Sequence, residues 1–129
     1  MKKKSIVIVL AVALLFVLAF AGSAVARPLY FDKGATITIE GGTAQVSCSW
    51  PATAQAEGYN VALYRSGAGG FDFIVSYTTT ATSRIFTHQN NNEPLSAGTY
   101  MVCVTSLKIM KNSSIKYGEP LYSAAVTVN

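Results

Sequence analysis

Past residue 33 the chain alternates hydrophobic and polar positions in short stretches broken by Gly, Pro and Asn. In Thr36-Ile37-Thr38-Ile39 both isoleucines fall on one side, as in a half-buried strand whose successive side chains point to opposite faces. Gly41-Gly42 predicts a turn. The run from Ala44 to Trp50 then places Ala44, Val46, Cys48 and Trp50 on one face, and Pro51, lacking an N–H for the ladder, ends it. Tyr59 to Arg65 directs Tyr59, Val61 and Leu63 inward and closes in the flexible cluster Ser66 to Gly70. Phe71, Phe73, Val75 and Tyr77 share a face in what reads as an edge strand. Thr78 to Ser83 has strand propensity but no apolar side, and Arg84 to Thr87 is a short strand without an assignable register. Tyr100 to Leu107 is the strongest strand, with Tyr100, Val102 and Val104 inward, and Leu121 to Val128 supplies the last. The pattern predicts an all-β, seven-stranded antiparallel immunoglobulin-like sandwich over residues 34–129, preceded by a lead segment at 27–33, with a barrel as the alternative.

The first residues read differently. Lys2, Lys3 and Lys4 precede an uncharged apolar run from Ile6 to Ala21, and Ala24-Val25-Ala26 suits a signal peptidase, so residues 1–26 read as a signal peptide. An uncleaved membrane anchor is the rival reading, although a full span wants about 20 residues. Cleavage after Ala26 makes the mature chain a secreted, extracellular or periplasmic one. It also changes the charge: without those three lysines, seven basic residues face six acidic ones, a net charge of +1 against +4 for the whole chain. A near-neutral domain lacks the clustered Lys and Arg of a nucleic-acid binder, so no nucleic-acid partner is expected.

Trp50, Gly58-Tyr59-Asn60-Val61, Ala97-Gly98-Thr99-Tyr100 and Tyr122 to Val126 together resemble fibronectin type III domains, as found in bacterial surface and secreted proteins. The resemblance implies a core tryptophan late in the second strand, matched by Trp50. It also implies a corner tyrosine at the start of the sixth, matched by Tyr100. Cys48 and Cys103, in an exported sandwich, are then candidates for an inter-sheet disulfide. Alternation opposes that bond: Cys48 points inward with Trp50, whereas Cys103 is out of phase with Tyr100, Val102 and Val104. A single β-bulge would restore the phase. Otherwise Cys48 is a buried free thiol and Cys103 a half-exposed one.

Catalytic material is thin. His88 is the one histidine, the carboxylates are scattered, and a zinc site would need three or four ligands, so neither enzyme nor metal nor cofactor is expected. Ser113-Ser114-Ile115-Lys116 matches the Ser-x-x-Lys pattern of penicillin-recognising enzymes but sits in a predicted loop without its companion motifs. Gly67-Ala68-Gly69-Gly70 opens a strand rather than a helix and lacks a P-loop lysine. Asn112-Ser113-Ser114 is an N-glycosylation sequon by pattern only.

Binding is the remaining class. The loop carrying Lys108, Ile109, Met110, Lys111, Lys116 and Tyr117 offers basic and apolar side chains to a protein or glycan partner at the cell exterior. Its plainer reading is a solvated connector whose apolar residues fold back. Tyr64 and Tyr122 are candidate glycan contacts through ring stacking. Phe71 and Phe73 read instead as core or edge residues. The final strand is a third candidate, as an edge able to pair with a partner in an assembly.

Overall fold

The computed structural model describes residues 29–129; the expected signal peptide at 1–26 lies outside the described residues. Strands β1 (Thr38–Gly42), β2 (Gln45–Ser49) and β5 (Ser83–Phe86) form one antiparallel sheet in the order β1-β2-β5. The second sheet orders β4 (Gly70–Thr79), β3 (Gly58–Gly67) and β6 (Gly98–Ile109). Along the other edge of β6 run three short pieces, β7 (Ile115–Tyr117), β8 (Leu121–Tyr122) and β9 (Val126–Val128). They pair in turn with successive stretches of β6, so one interrupted strand takes the place of the predicted last one. Two separate sheets make this a sandwich and not a barrel.

Between the sheets lies a core of Ile37, Val46, Cys48, Trp50, Tyr59, Val61, Leu63, Val75, Phe86, Leu95, Tyr100, Val102, Val104 and Val128. Trp50 meets the Tyr59 ring edge to face at 5.7 Å, the geometry that the ring quadrupoles favour. The Tyr100 hydroxyl donates to the Ser96 carbonyl at 2.7 Å, closing a tyrosine corner over Leu95. In the lead segment Leu29 is buried, and its carbonyl accepts from the buried Ser106 hydroxyl at 2.7 Å.

The first turn falls two residues later than alternation predicts. Gly41 and Gly42 belong to β1, and the turn is Thr43-Ala44, with Ala44 at φ +53°. The reason is tertiary: the Thr127 carbonyl of β9 lies where a Gly41 Cβ would stand. Beyond it, the Asn129 N–H donates to the Gly42 carbonyl and the Asn129 carbonyl accepts from Ala44, both at 3.0 Å. The end of β9 is therefore engaged by the opposite sheet.

The candidate disulfide between Cys48 and Cys103 is not made; both thiols are free. Cys48 lies in the core, while Cys103 pairs with Ala62 on the outer side of the other sheet. A bulge exists, but on β4 rather than β6, so it leaves the phase of Cys103 unrepaired. Nor is Cys103 half-exposed, since neighbours on that face reduce it to 8% exposure. Burial raises the Cys48 thiol from 9.0 to about 11. Its protonated form is therefore favoured by folding: that contribution is whole below pH 9.0 and is lost as pH rises toward about 11. At pH 8 a thiol reagent is expected to label both cysteines only after denaturation, and dithiothreitol to leave the melting temperature unchanged. Slow labelling of the denatured, unreduced chain, or a fall in melting temperature on reduction, would contradict the free-thiol assignment.

Candidate functional site

The outer face of the β4-β3-β6 sheet begins with a break in register. Leu63 pairs with Val75 but Tyr64 pairs with Phe73, so Ile74 is an extra residue on β4. One inserted residue reverses the side on which everything beyond it points. Val75 and Tyr77 remain inward, whereas Phe73 and Phe71 turn outward beside Tyr64 and Ser66. This corrects the expectation that the four aromatic and apolar positions share a face: Phe73 is 55% exposed and Phe71 43%. The Phe73 and Tyr64 rings meet edge to face at 5.9 Å and 78°.

Next along the same face, Met101 pairs with Tyr64, and Cys103 lies between Ala62 and Tyr122. The side chains of Thr105 and Tyr122 beside the Cys103 thiol favour its ionised form, against the larger effect of burial. Its pKa is raised, by burial above all. That of Tyr122 is raised too, first by the charge that Cys103 would carry and, less, by the neighbouring Tyr64. Tyr122 is 60% exposed, so its ring is displayed while its position is tied to the strand beneath.

The predicted loop at 108–117 is a hairpin that extends this sheet. Lys108 pairs with Lys116, Ile109 with Ile115 and Leu107 with Tyr117, and Met110 to Ser114 make the turn, with Ser113 at φ +71°. The pairing splits the mixed basic and apolar set. Ile109, Ile115 and Tyr117 share the outer face with Tyr122, whereas Lys108 and Lys116 point the other way, Lys108 reaching Gln55 at 3.3 Å. Met110 and Lys111 stay at the exposed tip.

A single property unites the face. Every outward position on β3, β4, β6, β7 and β8 is uncharged, because Arg65, Asp72, Lys108 and Lys116 all fall on the opposite parity. Rings and aliphatic groups alternate there with Asn60, Ser66, Ser76, Thr78 and Thr105. Charge-depleted surfaces rich in aromatic residues and Met are characteristic of the centres of binding sites.

At the margin of the face a cleft of about 330 Å³ opens between Phe73 and Ile74 of β4 and Gln89, Asn90 and Asn91 of the preceding loop to β6. Gln89 Nε2 donates to the Pro94 carbonyl and Asn91 Oδ1 accepts from the Glu93 N–H, both at 3.0 Å. These bonds brace the loop and leave the opposite end of each amide available. Sequence alone marks this segment only as a polar loop. Its neighbour Phe73 is invisible as a site residue because the bulge has no sequence signature there.

The residues weighed for catalysis are scattered. His88 is exposed, its Nδ1 2.8 Å from the Thr87 hydroxyl. Ser114 bonds Asn112 through both its N–H, at 3.0 Å, and its hydroxyl, at 2.6 Å. Among the described residues no three His, Cys, Asp or Glu side chains group as metal ligands, and no helix is long and apolar enough to cross a membrane.

Comparison with known proteins returns likeness of fold. A Fn3-like protein from Clostridium thermocellum is similar, with 19% sequence identity, coverage of 74% of this chain and 88% of that one, and a TM-score of 0.40. A myokine structure is similar at 16% identity, with 74% and 96% coverage and a TM-score of 0.44. No family model matches the chain, and no curated protein does. Its own strand pairing, β1-β2-β5 against β4-β3-β6 with the last strand beyond β6, makes the chain a fibronectin type III-like β-sandwich.

Proposed function

We propose that this chain is a small non-enzymatic module of the cell exterior that binds a protein or glycan across the outer face of its larger sheet. The observation that supports this reading is the absence of charge from the outward strand positions of that face together with its exposed rings. Leaving such a surface in water is unfavourable, at about 25 cal/mol for each Å² of apolar area, so a ligand that covers it gains what the free protein forgoes. The side chains are presented from strands, whose hydrogen-bonded ladder limits the entropy lost on binding. In this reading the hairpin at 108–117 contributes Tyr117 and Ile109 rather than its lysines.

Attachment of the purified domain to the envelope fraction of its own cells tests the assignment. Phe73→Ala and Tyr64→Ala are each expected to weaken it by about tenfold, near 1.4 kcal/mol. Lys108→Ala and Lys111→Ala are expected to leave it unchanged, with circular dichroism verifying the fold of each variant. The reverse pattern would move the site to the lysines of the hairpin.

A further inference from the structure

The margin of the uncharged face carries information about what covers it. An apolar protein partner would need only the rings and aliphatic groups. Yet the rings end at an amide cleft in which Gln89, Asn90 and Asn91 stand beside Phe73 without a charged side chain among the lining residues. Side-chain amides both donate and accept, so they match hydroxyl groups, which do the same. Gln89 and Asn91 each spend one end of the amide on bracing the loop, and Asn90 has no such duty. Next to the amides, Phe73 and Tyr64 hold an edge-to-face geometry, and Tyr122 follows across β6. From β4 to β8 the face spans three strand spacings, about 14 Å. Fixed apolar plates beside neutral groups that bond hydroxyls are complementary to a ligand whose apolar C–H faces alternate with hydroxyl-bearing edges.

Resting on the binding function proposed above, we infer that the ligand is a neutral polysaccharide, its chain running from the Gln89-Asn90-Asn91 cleft over Phe73 and Tyr64 to Tyr122. The absence of charge selects against polyanionic chains, whose desolvated carboxylates or sulfates would meet no cation on this face. The apolar rings supply affinity through buried area, and the amides supply orientation.

Affinity electrophoresis of the whole mature domain tests the inference, with hydroxyethylcellulose, xylan, galactomannan and pullulan as neutral probes and polygalacturonate as the charged one. At least one neutral polymer is expected to retard the protein, and polygalacturonate is not. Tyr64→Phe, which keeps the ring, is expected to bind as the parent does. Tyr64→Ala and Phe73→Ala are expected to lose about tenfold in affinity. Asn90→Ala, which breaks no bond within the fold, is expected to lose several-fold. Retardation by polygalacturonate alone would overturn the inference. So would the absence of retardation by every neutral polymer while Phe73→Ala still weakens attachment to the envelope fraction, a result that keeps the face as a site for protein. If Phe73→Ala and Tyr64→Ala change neither assay, the face itself is not the site.

Discussion

Trp50→Ala is expected to cost about 3–5 kcal/mol, the range for emptying a buried tryptophan site. Trp50 is buried, packs against Tyr59 at 5.7 Å, and joins the cluster that holds residues of both sheets together. A domain of this size has about 5–15 kcal/mol in total, so the variant should be partly unfolded at 25 °C or lose most of its denaturant tolerance. Trp50→Phe provides the informative contrast. The indole Nε1 is buried without a hydrogen-bond partner, and an unpaired buried donor costs about 1–3 kcal/mol. Removing it offsets part of the lost packing, and the phenylalanine variant is expected to lose less than half of what the alanine variant loses. Urea unfolding followed by circular dichroism reads both. Equal losses would mean that the indole nitrogen is satisfied in solution.

Gly41→Ala is the second large effect, although it adds a single methyl group at an exposed position. That methyl would occupy the place of the Thr127 carbonyl, and a backbone obstacle cannot swing aside as a side chain can. Either β1 or β9 must move, at about 2–3 kcal/mol, toward the upper end of overpacking costs. The displacement should break the paired bonds of Asn129 with Gly42 and Ala44, so hydrogen exchange at the amides of Ala44 and Asn129 is expected to accelerate. Gly42→Ala is the matched control, because the nearest atom to its added methyl is the Gln45 carbonyl at 4.0 Å. It should be close to neutral, or slightly stabilising by restricting the unfolded chain. Equal destabilisation by the two would point to a general intolerance of the turn and dismiss the contact with β9.

How far the fold and the site can be read from the chain differs sharply between them. Alternation places Val46, Cys48, Trp50, Tyr59, Val61, Leu63, Tyr100, Val102 and Val104 in the core, because a period of two is a local property of any half-buried strand. The same logic opposes a Cys48–Cys103 bond without coordinates. Phe71 and Phe73 defeat it: a bulge inserts Ile74 and reverses their direction, and only the ladder with β3 makes the insertion identifiable. The 108–117 segment fails for a related reason. Its lysines and apolar residues look like one mixed loop until the Lys108–Lys116 and Ile109–Ile115 pairings send them to opposite sides.

The sequence by itself determines that the chain folds into short antiparallel strands, that Val46, Cys48, Trp50, Tyr59, Val61, Leu63, Tyr100, Val102 and Val104 face its core, and that its described portion carries little net charge. These follow from composition and from periodicity within each strand. Tertiary structure alone decided that Gly41 lies beneath β9, that the two thiols stay apart, and that Phe73, Tyr64 and Tyr122 share one uncharged face with an amide cleft at its edge. Those relations depend on register between strands distant in the chain, and a shift of one residue, which leaves composition and local propensity unchanged, reverses every side chain beyond it.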